Sequence, residues 1–333
     1  MRLEIADLQR QVAQFFGGLG LSELHAEQFA EVLIEAEIEG NPGHGLSRIP
    51  IYARQLRAGG LNPRPALRLS HTRPGTLILD ADGAPGPVAL HFGMEALAPL
   101  AREQGVASLA VRAAGHVGVL SFYVKRLAQQ GYVAMAAANT PPAIAPGPVL
   151  GTNPLALAAP TGGDPVVIDS SMSVVARGKV LEAQRQGLRL QPGWAVDAQG
   201  EPTEDPQRAL AGALLPIGAG KGLALALLVE ILAGALAGTL LSPDLPLPWV
   251  DPSRAAGPGL WLLAIDPAAH GDPTGFAARM QRLAGALTSS GGRLPGERRR
   301  QLAEQARRSG KEIGDSLAAS LREVGLELQG AAP

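Results

Sequence analysis

The sequence predicts an α/β protein with a layered core and a helical lobe, and three observations predict it. Strand-length apolar runs alternate with helix-length patterns between about residues 75 and 138. Helical patterns at 22–39 and 46–58 come before that alternation, and from 274 to about 324 the chain is helical again with a basic face. The length of 333 residues buries a large core and favours two lobes over one or three.

In the first helical pattern, Ser22 is a suitable N-cap. Leu24, Phe29, Val32, Leu33 and Ala36 recur at helical spacing, and Gly40 supplies the stop. The second carries Pro50 in its first turn, where a missing N–H does no harm, and ends at Gly59-Gly60. The run 76–80 reads as a strand, 88–105 as a helix, 106–111 as a buried strand, 118–130 as a helix and 133–138 as a strand. A Pro- and Gly-rich stretch covers 140–165, and 166–169 reads as one more strand. Turn chemistry at Pro192-Gly193, Gln199-Gly200 and Asp205-Pro206 makes 190–216 a loop excursion. An apolar helix follows Lys221 through about Leu236, and 260–265 is the last strand.

Composition excludes several functions. With 29 basic and 30 acidic residues, the formal charge of -1 gives no footprint for nucleic acid or an anionic membrane. No run approaches the ~20 apolar residues of a membrane span, and the N-terminus lacks a signal-peptide pattern, so a cytoplasmic location is expected. There is no cysteine, hence no disulfide framework and no thiolate nucleophile. The six histidines are scattered without ligand spacing, and no metal site is expected.

Three constellations can carry chemistry. On a helix starting near Gly45, His44, Arg48 and Tyr52 lie four apart and share one face. A guanidinium grips a carboxylate with two parallel hydrogen bonds, while imidazole and phenol serve a neighbouring oxygen; a solvated polar face is the competing reading. His116 stands between Gly115 and Gly118 after a buried strand, where an imidazole can pass a proton near neutral pH; a turn histidine bonded to backbone is the alternative. The run Gly218-Ala219-Gly220-Lys221-Gly222 opens a helix and offers N–H groups to an anion such as a pyrophosphate. It is not a P-loop, because Leu215 and Gly222 stand where Gly and Ser or Thr are required. No Gly-x-Gly-x-x-Gly follows any predicted strand, which argues against a Rossmann site.

The order of these motifs resembles the malate/L-lactate dehydrogenase family of the non-Rossmann type, which includes ureidoglycolate and sulfolactate dehydrogenases and cyclic-imine reductases. The likeness spans nearly the whole chain. It rests on His44-Gly45 with Arg48 and Tyr52, Leu56 to Pro63, Asp82-Gly83 with Gly86, Gly115-His116 and Asn139 to Pro142. It continues through Gly151 to Ala156, Gly193 to Asp197, Pro202-Thr203, Asp205-Pro206, Leu215-Pro216, Lys221-Gly222 and Pro295 to Arg298.

The resemblance implies an α/β/α sandwich with His116 as general acid/base and His44, Arg48 and Tyr52 lining the substrate pocket. It further implies contacts to NAD or NADP near Thr140, along Asp169-Ser170-Ser171, at Lys221 and around Gly257, with Arg177 as a candidate for a 2′-phosphate. The expected substrate is a small 2-hydroxy or 2-oxo acid, the alternatives being a cyclic imino acid or a ligand-binding homologue without turnover. A homodimer is implied, with segments 1–72 and 272–333 forming the substrate and dimer lobe and 73–271 the dinucleotide-binding and catalytic core. Three departures stand out: Gly43 replaces the family's usual Ser, a Trp-Gly-Gly stretch is shortened to Gly147-Pro148-Val149-Leu150, and the segment between Leu241 and Gly257 is abbreviated.

Overall fold

The computed structural model describes residues 1–254 and 257–330, so the end of the 272–333 segment lies outside the described residues. Its centre is a seven-stranded mixed sheet. In spatial order the strands are Arg68–Arg73, Thr76–Asp80, Val106–Arg112, Leu260–Ile265, Val133–Ala138, Leu155–Ala159 and Val166–Ser170. Thr76–Asp80 and Val106–Arg112 are parallel neighbours, and the other adjacent pairs are antiparallel. The strand Leu260–Ile265 is inserted between two strands far earlier in the chain, with Leu260 opposite both Val111 and Ala138.

Period-two burial explains the layering. Leu260, Leu262 and Ala264 are buried on one face, where they share an apolar cluster with Leu97, Leu100, Tyr123, Val124 and Leu127 of the helices Gly86–Gln104 and Leu120–Gln129. On the opposite face Ala137, Leu155 and Trp261 pack with Val229 and Ala233. Those last two belong to the apolar helix Gly220–Val229 and to its π-helical continuation Glu230–Leu236. Helices therefore cover both faces, which is the α/β/α arrangement that the resemblance implies.

A second apolar cluster joins the two ends of the chain. Phe16, Phe29, Leu33, Ile49 and Tyr52 pack with Ala303, Ala306, Leu321 and Val324. The helix Glu23–Ile38 starts at Ser22, whose hydroxyl accepts the His25 N–H at 3.3 Å. It also lends Val32 and Ala36 to the sheet-side cluster, so it ties the terminal helices to the core.

Several elements differ from the sequence expectations. The 46–58 helix begins with a 3-10 turn, Leu46–Arg48, before the α-helix Ile49–Ala58, and a further 3-10 turn, Pro42–His44, stands ahead of it, because Gly45 interrupts regular winding. The excursion at 190–216 holds a small three-stranded sheet and the helix Pro206–Ala211. The C-terminal helical region is divided into Pro273–Ser289, Glu297–Ser309 and Asp315–Arg322 by glycine-containing turns. Strands Arg68–Arg73 and Leu155–Ala159 and helices Ile5–Gly18 and Arg177–Gln186 are additions to that reading.

Candidate active site

Register places most of the candidate residues at one end of the sheet. Val106–Arg112 and Val133–Ala138 run the same way, with Leu260–Ile265 reversed between them, so Arg112, Ala138 and Leu260 sit together. Leu155 pairs with both Ala137 and Ser170, which brings the 153–155 and 170–171 segments to that same end. The chain leaving these strands carries His116, Thr140, Ser170, Ser171 and, ahead of Leu260, Gly257.

The loop bearing His116 is tightly held. A Cβ on Gly86 would come within 2.5 Å of the Gly115 carbonyl oxygen and 2.6 Å of that of His116, and one on Gly115 would meet Leu61 at 2.5 Å. Glycine at both positions lets the helix Gly86–Gln104 and the 61–62 turn close onto this loop. The imidazole then meets the 42–58 segment. Tyr52 Oη lies 2.6 Å from His116 Nδ1, and the Gly118 N–H donates to the same nitrogen at 3.2 Å. His44 stacks on His116, with ring centroids 5.7 Å apart and planes 18° from parallel. The three residues drawn from one predicted helix face thus converge across the 3-10 turns.

Arg48 completes the group. Its Nε donates to the Gly43 carbonyl at 2.6 Å, which fixes the guanidinium plane. Among the described residues no carboxylate pairs with its two terminal nitrogens, and the side chain is half-buried. Its charge reaches the whole cluster. Burial pushes His44 down to about 4; Arg48 and Arg299 add to that shift and Asp169 opposes it. Burial, then Arg48 and His44, hold His116 well below the ordinary imidazole range. Tyr52, only 2% exposed, is pushed up to about 12 by burial against an opposing pull from Arg48.

The remaining candidates fall into two groups. Asp169 lies within charge reach of His44, yet its carboxylate is engaged: Oδ2 accepts the Ser121 N–H at 3.0 Å and a bond from Arg299 at 3.3 Å. The Thr140 N–H donates to Asn153 Oδ1 at 3.0 Å, and its hydroxyl lies 3.2 Å from that of Thr152. Ser170 is exposed, Ser171 half-buried, and Gly257 opens onto free space. Farther round, Lys221 is exposed in the first turn of the helix Gly220–Val229. Arg177 lies over the Trp249 ring at 5.8 Å. A cavity of about 810 Å³ beside the 218–220 turn is bounded by Pro146, Gly147, Pro148, Val174 and Leu223, so the shortened 146–151 stretch forms part of its wall.

Sequence reasoning missed three supporting residues. Arg299 pairs with Asp169 and donates to Ser121 Oγ at 2.9 Å; it follows the Pro295 to Arg298 marker by one position, and its spacing carries no signal. Ser121 offers Asp169 its backbone N–H at the start of a helix. Glu230, 6% exposed at the head of the π-helical stretch, accepts four hydrogen bonds and links the 139, 153 and 242 segments. A lone acid in an apolar helix was its sequence signal.

Comparisons with known proteins identify the class and then the family. A family model described as malate/L-lactate dehydrogenase matches residues 3–322. The chain is 41% identical over 291 residues to a (2R)-3-sulfolactate dehydrogenase (NADP(+)) of Chromohalobacter salexigens, covering 85% of this chain and 86% of that protein. It is 38% identical over 291 residues to a Delta(1)-pyrroline-2-carboxylate reductase of Pseudomonas fluorescens, covering 84% and 85%. A dehydrogenase of Sinorhizobium meliloti superposes with a TM-score of 0.91 at 31% identity, covering 97% of this chain and 98% of that one. The fold and the match define an oxidoreductase of the dehydrogenase and reductase class. The chain belongs to the malate/L-lactate dehydrogenase family.

Proposed function

We propose that this protein moves a hydride between NAD or NADP and the carbon beside the carboxylate of a small 2-hydroxy or 2-oxo acid. One observation carries the reading: the Arg48 guanidinium, with no carboxylate partner among the described residues, lies within charge reach of the stacked His44 and His116 at the end of the sheet. A cation with two free nitrogens in a fixed plane suits a carboxylate, and an imidazole next to it suits the oxygen on the adjacent carbon.

The groups nearby fit a nicotinamide dinucleotide. Hydroxyls of Ser170 and Ser171 and the backbone around Thr140 suit ribose and carboxamide. The glycine-rich entry to the helix at Gly220, with Lys221, suits a pyrophosphate. Arg177 is the group of this set that suits a 2′-phosphate. The cofactor supplies the hydride and its acceptor.

The chain's own residues do the rest. Arg48 holds the carboxylate so that the neighbouring carbon is fixed in place. His116 exchanges a proton with the substrate oxygen. His44, kept neutral by its surroundings, packs against that imidazole and adds no competing positive charge beside Arg48. The apolar cluster behind Tyr52 keeps water from the phenol side.

A cyclic imino acid is the second reading. It presents a carboxylate next to a reducible C=N carbon, and the pyrroline-carboxylate reductase relative favours it. A steady-state screen of 2-oxo acids, 2-hydroxy acids and cyclic imines with both nucleotides tests the assignment. Turnover of either class supports it. Saturable nucleotide binding by fluorescence, without turnover of any carboxylate, would replace it with a ligand-binding role.

A homodimer belongs to the same proposal. The surface that favours it lies on the 73–271 core rather than on the terminal lobe that the resemblance implies: Leu225, Leu227, Leu228, Ile231 and Leu236 are exposed along one helical run, an apolar surface that a second copy can cover. Light scattering giving the mass of one chain would count against the dimer.

A further inference from the structure

We infer, on the functional reading above, that Tyr52 supplies the proton that reaches the substrate, with the His116 imidazole relaying it from the phenol side to the pocket side. The resemblance makes Tyr52 a pocket wall. In the structure its hydroxyl is instead directed at His116 Nδ1, 2.6 Å away.

The argument starts from what Nδ1 can accept. The Gly118 N–H, 3.2 Å from Nδ1, can only donate. The neutral ring therefore accepts at Nδ1 and carries its hydrogen on Nε2, and the Tyr52 hydroxyl is the second donor to the same atom. Any ring with hydrogen on Nδ1 sets it against the Gly118 N–H, so that form is not the resting one and arises only transiently, when the clash favours returning the proton to Tyr52. Burial and the Arg48 charge act in the same direction, holding His116 well below its ordinary range, so at neutral pH the ring works uncharged.

An uncharged imidazole that gives up its Nε2 hydrogen must gain one at Nδ1 in the same event, or it becomes an anion. Among the described residues the Tyr52 hydroxyl is the group placed to give it. In the reductive direction the Tyr52 O–H bond breaks as N–H forms at Nδ1, and the Nε2–H bond breaks as O–H forms on the substrate oxygen, which has gained its electron pair from the C=O bond as hydride arrives at carbon. The phenol, pushed up to about 12, is still a stronger acid than the alcohol being formed. The transient phenolate lies in the field of Arg48, whose charge stabilises it. Once product leaves, water protonates Nε2 and the ring returns its Nδ1 proton to Tyr52; oxidation runs the same path backwards.

Two measurements test this. The first is a long-range ¹H–¹⁵N spectrum of histidine-labelled protein, with the His116 signal identified by its loss in His116→Gln. It should show the Nε2–H form; an Nδ1–H form overturns the relay without any assay of activity. The second is kcat in mixtures of H₂O and D₂O. Two protons in flight give a curved dependence in the wild type, and a straight line there overturns the relay. Tyr52→Phe retains the ring that packs edge-on against Phe29 at 4.9 Å. It should lower kcat by about 10²–10⁴-fold, straighten the solvent dependence and shift residual activity towards acid, where the ring is cationic. Tyr52→Phe with wild-type kcat and a raised KM alone returns Tyr52 to the pocket wall. Wild-type protein that turns over no carboxylate defeats the functional reading, and the spectrum still decides the tautomer.

Discussion

Replacing Glu230 by Gln tests whether a buried carboxylate holds the loops around Thr140. Oε1 accepts from Asn139 Nδ2 at 3.0 Å and the Ser242 N–H at 2.7 Å, and Oε2 accepts from Asn153 Nδ2 at 2.8 Å and the Ser242 hydroxyl at 2.5 Å. All four partners donate, which an amide cannot accommodate. In its better orientation the new NH₂ takes the Oε2 place, where the Ser242 hydroxyl can turn and accept. Asn153 Nδ2 is then left facing a donor, at about 1–3 kcal/mol. The two bonds that survive at Oε1 lose their charge assistance, which brings the total to about 2–4 kcal/mol. Urea unfolding measures this as a lower midpoint at unchanged slope. Asn153 also accepts the Thr140 N–H, so nucleotide affinity, followed by fluorescence, should fall by roughly 3–10-fold, or about 1 kcal/mol. A stability change below about 0.5 kcal/mol would mean that the network does not carry the load assigned to it.

Four further outcomes are expected. His116→Ala lowers kcat by about 10²–10⁴-fold in steady-state assays, and unchanged turnover removes the imidazole from the chemistry. Arg48→Lys raises KM for the acid, because an ammonium cannot match the planar two-point grip; an unaltered KM contradicts that role. Stability falls as pH drops from about 6.5 through about 4, because the folded state resists protonation of His44 while the unfolded chain accepts it. His44→Gln should flatten the urea-midpoint profile in that window by at most about 1.4 kcal/mol per pH unit, and an identical profile refutes the linkage. Arg177→Ala weakens NADPH more than NADH in fluorescence titrations if the guanidinium meets a 2′-phosphate, and equal effects exclude that contact.

The parts of the fold legible in the sequence were those where a single physical signal dominates. Val106–Arg112, Val133–Ala138 and Leu260–Ile265 are largely apolar runs of strand length with alternate residues buried. Arg68–Arg73 escaped because it is a largely exposed edge with polar side chains, leaving no apolar period to read. Leu155–Ala159 was masked by the prolines and glycines around it, although its register fixes where Thr152 and Asn153 sit.

The site was legible where one residue type has few other uses. His116 between glycines and Arg48 beside His44 are examples, and the family likeness supplied their order. The spacing argument for His44, Arg48 and Tyr52 named the right neighbours on an idealised helix, while the 3-10 turns at Pro42–His44 and Leu46–Arg48 set their real directions. Arg299 was not legible, because its partners Asp169 and Ser121 lie 130 and 178 positions away and pairing at that range leaves no local pattern, and Glu230 showed only as a lone acid in an apolar helix, with Asn139 and Asn153 lying 91 and 77 positions away.

The central position of Leu260–Ile265 has a consequence for biogenesis. The strands leading to His116 and Thr140 are not adjacent to one another, and the wedge between them is translated more than a hundred residues later. A nascent chain halted before that point exposes two unsatisfied strand edges and lacks the spacer that sets the distance between those segments. A fragment ending ahead of residue 260 therefore lacks a complete site and should engage chaperones rather than substrate.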